Sequence, residues 1–133
     1  MRTDSVRISP EAVQDVRQFI AKKFGPAYLP EKPNFFKSRK TAQEAHEAIR
    51  PTSVSRNPEM VKLFLNKDQF ALYELIWNRF VACQMNPAVY DQTSVDIQAG
   101  KYLFRASGSI LLFPGFMTLY IETADENAER EDQ

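Results

Sequence analysis

Residues 67–98, KDQFALYELIWNRFVACQMNPAVYDQTSVDIQ, decide the fold, because the spacing of apolar residues changes within them. Phe70, Tyr73, Ile76, Trp77, Phe80 and Val81 recur at three- and four-residue intervals, the period of one helix face, over a helix expected from Lys67 to Met85. Asn86-Pro87 closes that run. Beyond it Thr93, Val95 and Ile97 alternate with Ser94, Asp96 and Gln98, which is the period of a strand. A turn at Ala99-Gly100 and the run Tyr102-Leu103-Phe104 predict a returning strand linked by a hairpin. A helical first part followed by a strand-rich second part makes the fold class α+β, with the boundary near Asn86.

Upstream, the Val6/Ile8 alternation suits an extended entry, and Ser9-Pro10-Glu11 announces a helix with Ser9 as its cap. Val13, Val16, Phe19, Ile20 and Phe24 form its apolar face, and Gly25-Pro26 stops it. The Tyr73, Ile76, Trp77, Phe80 stripe is expected to pack against this first helix rather than to bind a ligand. Residues 26–40 carry Pro26, Pro30 and Pro33 and then the basic run Lys37-Ser38-Arg39-Lys40, which reads as a surface loop. Thr41-Ala42-Gln43-Glu44 matches a capping box, so a helix is expected from there to Pro51, with His46 and Arg50 on one face. Asn57-Pro58 starts a short helix to about Leu65. Ser107-Gly108 and Pro114-Gly115 are expected to punctuate two more short apolar runs, Ile110 to Phe113 and Phe116 to Ile121, before an acidic tail from Glu122 that reads as disordered.

The 133 residues suffice for one core, or for one domain and part of another, and 44% hydrophobic content excludes wholesale disorder. No apolar run of transmembrane length and no signal-peptide pattern is present, so the expected address is the cytoplasm, with no membrane partner. Cys83 is the only cysteine and falls in an apolar pattern, which excludes an internal disulfide and suits a small buried hydrophobe. Formal charge is zero overall, but residues 1–50 hold ten Lys/Arg against six Asp/Glu and the rest seven against eleven. The first part is the one that can face phosphate.

Few residues announce chemistry by themselves. His46-Glu47 lacks a second histidine one turn on, where Arg50 stands, so no metal site is supported, and a structural or exposed histidine is the ordinary reading. His46 and Arg50, downstream of Lys37, Arg39 and Lys40, could contact a phosphodiester, with Arg50 able to bind it bidentately; a solvated basic face is the competing reading. Phe35 and Phe36 could stack on bases, yet paired aromatics between prolines more often anchor a loop to the core, and that is the expectation here. There is no glycine-rich phosphate loop, no nucleophile elbow and no carboxylate cluster suited to magnesium.

Three blocks carry a resemblance: Met1-Arg2-Thr3-Asp4-Ser5; Gln43-Glu44-Ala45-His46-Glu47-Ala48-Ile49-Arg50-Pro51; and Leu75-Ile76-Trp77-Asn78-Arg79-Phe80-Val81-Ala82-Cys83-Gln84-Met85. In this order they resemble the bacterial type IA DNA topoisomerases, and the likeness continues through Asp91-Gln92-Thr93 and fades after about Ile121. The resemblance implies an isomerase that relaxes negatively supercoiled DNA without ATP, through a 5′-phosphotyrosyl link, strand passage and religation. It implies an internal piece that starts just after the attacking tyrosine, so the isolated chain is expected to be inactive. Tyr28, Tyr73, Tyr90, Tyr102 and Tyr120 lie outside that motif and are better explained by packing.

By the same resemblance Arg2 and His46 match residues at the scissile phosphate, Arg2 as a permanent positive charge and His46 as a phosphate contact with a conceivable proton-relay role. Arg50 joins them in contacting DNA or bracing the site, and Asp4 and Glu47 orient neighbours. The family's magnesium carboxylates sit in an N-terminal domain of another fold, so the ion belongs to the parent enzyme and no cofactor is expected in this stretch. The implied partners are DNA, single-stranded where it is cleaved, and that metal-binding domain of the same protein. Residues 1–86 would be the helical portion of the tyrosine-bearing gate domain, 87–121 a β segment of the neighbouring hinge domain, and 122–133 the tail. An autonomous, non-catalytic DNA-binding module is the alternative, and a purely structural or protein-interaction domain is a third reading.

Overall fold

The computed structural model describes residues 1–37 and 46–120. The main elements are helix α1 (Pro10–Lys23), the short helix α2 (Pro58–Val61) extended by a 3-10 turn over Lys62–Phe64, helix α3 (Lys67–Ala82), and strands β1 (Val89–Ala99) and β2 (Tyr102–Phe113). Ser9 caps α1 by accepting the Ala12 N–H, Pro10 enters the first turn, and Glu11 and Lys22-Lys23 suit the two ends of the helix dipole. Helix α3 starts with a complete capping box, the Asn66 side chain accepting the Gln69 N–H while the Gln69 side chain accepts the Asn66 N–H.

The core lies between these two helices. Val16, Ile20 and Val81 are fully buried, with Ala12, Val54, Trp77, Phe80, Met85 and Leu119 around them. Burying each large aliphatic side chain contributes roughly 1.5–3 kcal/mol. The stripe on α3 does pack against α1: Phe19 meets Trp77 edge to face with ring centroids 5.5 Å apart, and the indole N–H donates to the Val54 carbonyl at 3.0 Å.

The second part is one antiparallel hairpin, paired from Ala99↔Tyr102 at the tip to Val89↔Phe113 at the base, with an irregularity at Val89/Tyr90. Its two-residue loop has Gly100 at φ 61 followed by Lys101, and among the described residues none other than glycine has positive φ. Gly in the first loop position followed by a negative φ fits a type II′ turn, whose twist matches the strands. Contrary to expectation, Ser107-Gly108 does not break the chain. These residues pair with Ser94 and Thr93 inside β2, so the predicted separate run from Ile110 belongs to the same strand. The expected run from Phe116 is not a strand: a 3-10 turn covers Gly115–Met117 and Leu119 enters the core.

Asn86 fastens the hairpin base to the helices. Its backbone N–H donates to the Tyr28 carbonyl at 2.8 Å, its side chain to the Ala27 carbonyl at 2.8 Å, and its own carbonyl accepts the Phe116 N–H at 2.9 Å. Gly115, at φ 50, lies so close that a Cβ would sit 2.4 Å from the Asn86 and Pro87 carbonyl oxygens. Tyr28 and Phe113 rings meet beside it at 4.8 Å.

Candidate functional site

The expected helix from Thr41 to Pro51 is corrected over its described half. Residues 38–45, including the capping-box sequence and Arg39 and Lys40, lie outside the described residues, but residues 46–50 are not helical: His46 lies in a bend, Ala48 in an isolated bridge, and the rest have no regular structure. His46 and Arg50 therefore do not share a helix face. The reason is long-range pairing, which outweighs local propensity. The Arg2 N–H donates to the Glu47 carbonyl at 2.9 Å, the Ala48 N–H donates to the Arg7 carbonyl at 2.7 Å, and Arg2 and Ala48 form a parallel bridge.

Ser5, buried within this pairing, donates its hydroxyl to the His46 carbonyl. The backbone around His46 is thus held from the segment that carries Arg2 and Asp4. Arg2 and Asp4 themselves are exposed, and His46 is half-buried. Sequence spacing alone places these residues far apart; the fold brings them together.

Glu47 is the structural centre of the group. Its carboxylate accepts the Ser9 N–H at 2.7 Å and is gripped by the Arg50 guanidinium, through Nε at 3.3 Å and a second nitrogen at 3.2 Å. Ser9 is also the cap of α1, so Glu47 supplies from a distant segment the acidic half of a capping box that Ser9 begins locally. The Arg50 hydrogen bonds, helped by the Ser9 N–H, hold the Glu47 carboxyl below the usual glutamate value despite partial desolvation. Arg50 also donates to the Pro51 carbonyl at 3.3 Å, so in this geometry its fork is turned inward. This arrangement suits bracing better than a bidentate grip on phosphate, whereas the exposed Arg2 guanidinium has no ion pair among the described residues.

Ser5, Arg7 and Ser9 are the positioning residues that sequence reading missed. Only the Val6/Ile8 alternation hinted that residues 5–8 were extended, and nothing local could name their partner.

The core-anchoring expectation for Phe35 and Phe36 is also corrected: their relative exposures are 86% and 51%. What anchors this loop is Asn34, whose backbone N–H and C=O pair with the side-chain amide of the fully buried Gln84 at 3.1 and 3.0 Å, and whose own side chain donates to the Cys83 carbonyl at 3.0 Å. With the backbone anchored next to them, the rings need not be buried.

No activated nucleophile is visible among the other described side chains. Burial raises the Cys83 thiol above its ordinary value, opposite to what a reactive cysteine needs. Desolvation likewise raises Tyr73, whose hydroxyl donates to the Arg56 carbonyl. Tyr28 packs on Phe24 and Phe113, the Tyr90 hydroxyl meets Met117, and Tyr120 packs on Phe116. Among the described residues no three His, Cys, Asp or Glu side chains are grouped to hold a metal, and no helix is long and apolar enough to cross a membrane.

Comparison with known proteins agrees with the resemblance read from the three blocks. The DNA topoisomerase family model matches residues 1–133. DNA topoisomerase 1 of Xylella fastidiosa, in strains Temecula1 and 9a5c, is 47% identical over 136 residues, covering 100% of this chain and 17% of each relative. The solved structure of full-length topoisomerase I from Thermotoga maritima superposes with a TM-score of 0.75 at 39% identity, over 90% of this chain and 19% of that one. The chain thus spans less than a fifth of the length of these relatives. With a family match over its whole length and a shared fold, the chain belongs to the bacterial type IA DNA topoisomerase family.

Proposed function

We propose that this chain supplies the phosphate-facing side of the DNA-cleaving site of a type IA topoisomerase. The parent enzyme relaxes negatively supercoiled DNA without ATP, cutting one strand through a 5′-phosphotyrosyl link, passing a strand and religating. The observation that carries this reading is the pairing of residues 2–7 with residues 46–48, which gathers Arg2 and His46 onto one small, braced unit.

Each residue then has a physical task. Arg2, exposed and always charged, stabilises the extra negative charge that develops on the phosphate as a nucleophile attacks. His46 donates a hydrogen bond to a phosphate oxygen, its position fixed through its own carbonyl by Ser5. Glu47 and Arg50 hold the segment against the start of α1 and set where His46 sits. Asp4, which holds no ion pair among the described residues, orients the neighbouring cations only once phosphate is bound. The tyrosine nucleophile is no side chain of this chain's five; residues 1–133 alone therefore do not cleave or relax DNA.

Magnesium belongs to the parent enzyme. Among the described residues no three His, Cys, Asp or Glu side chains are grouped to hold it. The working partners are single-stranded DNA at the cleavage point and the metal-binding domain of the same polypeptide, and the working compartment is the cytoplasm.

Replacing the matching segment of the Xylella fastidiosa relative with residues 1–133 provides the test. The chimera relaxes plasmid; Arg2→Ala lowers its rate by about 10²–10³-fold, the scale of removing one preorganised charge-stabilising donor. His46→Ala also lowers it. Relaxation unchanged by both substitutions contradicts the assignment, as does relaxation by the 133-residue chain alone.

A further inference from the structure

We propose that Phe35 and Phe36 form a stacking platform for unpaired bases of a single DNA strand whose phosphates face Arg2 and His46. This extends the reading above and rests on it.

Two consecutive phenylalanines with relative exposures of 86% and 51% leave much apolar ring surface in water. The backbone that leads to them is anchored at two places. At one end the Arg17 guanidinium donates to the Pro30 and Glu31 carbonyls at 2.8 and 3.3 Å. At the other, the Gln84 amide, with no exposed surface, spends both its polar atoms on the backbone of Asn34, immediately before Phe35. A buried amide is unfavourable unless fully hydrogen-bonded, and these bonds set the course of the backbone entering the Phe35-Phe36 pair. Rings that follow an anchored residue have less conformational entropy to lose when something stacks on them than rings on a free chain.

The platform lies beside the phosphate-facing segment. Ser5, Val6 and Arg7 line one groove of about 450 Å³ together with Phe35 and Phe36. Ser5 is the residue that holds the His46 carbonyl. Lys37, exposed, directly follows the rings, and residues 1–50 carry an excess of four positive charges, ten against six. Cations that track a backbone next to exposed aromatic faces are what a single strand requires, since every base offers a π-face whatever its sequence. A purely apolar partner would have no use for the cations.

The test measures fluorescence anisotropy of the 133-residue chain with a labelled oligothymidylate and with an abasic strand of the same length and charge. The wild type is expected to bind the base-bearing strand at least about five-fold more tightly, the lower end of what one stacked base supplies. The double variant Phe35→Ala/Phe36→Ala should lose that preference yet keep salt-dependent binding to the abasic strand, whereas Phe35→Tyr/Phe36→Tyr should retain it. Trp77 fluorescence confirms that each variant is folded. Equal binding of the two strands by the wild type overturns the platform while leaving the phosphate site intact, and so does a preference that survives the alanine pair. If the alanine pair instead changes only the oligomeric state in light scattering, the rings serve a protein contact and the platform is wrong. Absence of salt-dependent binding to either strand overturns both readings.

Discussion

Glu47 ties two distant segments of the chain together with one carboxylate. Its carboxylate joins the N-cap of α1 to the segment holding His46, and Arg50 keeps it ionised. Because the carboxyl is held below its ordinary value in the folded chain, its contribution to stability is present above the unfolded glutamate pKa. That contribution is lost as pH falls through the depressed folded value. Thermal unfolding followed from neutral to acidic pH should therefore show a larger drop for the wild type than for Glu47→Gln, whose stability at neutral pH is already lower. Identical pH profiles would show that the carboxylate makes no such link. Asp4, exposed and without an ion pair among the described residues, is expected to change DNA affinity with little effect on stability, by the same unfolding assay.

At the scale of elements, α1 and α3 were legible in the sequence because cap and apolar period agree for each, Ser9 with Val16/Ile20 in one and Asn66 with Trp77/Val81 in the other; Gly25 stops α1 as expected, whereas α3 ends at Ala82, three residues before the expected Met85, and turns carry the chain to Asn86. The hairpin was legible from its alternation and Gly100. Residues 46–50 were misread because a capping-box pattern is a local signal, while the hydrogen bonds that decide the matter reach back to Arg2, Arg7 and Ser9. Phe35-Phe36 failed for a related reason: the loop's anchor is the polar pair Asn34–Gln84, and no apolar pattern reveals a buried glutamine's partner. Two predictions follow from the same contacts. Gln84→Ala leaves the N–H and C=O of Asn34 unpaired and should destabilise the chain by about 1–3 kcal/mol in denaturant unfolding. Gly115→Ala combines a positive φ with a Cβ 2.4 Å from two carbonyl oxygens and should cost about 2 kcal/mol or more, loosening the hairpin base. A change within error for either would remove the corresponding anchor from the account.

Across the whole molecule, two halves meet at a narrow joint. The helical half has a core; the hairpin has none of its residues fully buried. Its pairing places Val95, Ile97, Phe104, Ala106 and Ile110 on one face and the Asp96–Arg105 ion pair on the other. An isolated two-stranded ribbon with an apolar face and open edges is prone to associate. The 133-residue chain should accordingly show a concentration-dependent mass in size-exclusion chromatography with light scattering, and Ile97→Lys should reduce it. A clean monomer at all concentrations would contradict this.

If Arg2 and His46 are joined into one phosphate-facing unit, the salt dependence of single-stranded DNA binding reveals it. Affinity for an oligonucleotide should fall as salt rises, and Arg2→Ala should weaken binding and flatten the log–log slope by about 0.7, the release expected from one lost phosphate contact on a single strand. His46→Ala should weaken binding at every salt concentration. If both variants bind with the wild-type affinity and slope, the pairing of residues 2–7 with residues 46–48 serves the fold alone and the functional assignment of this site is wrong.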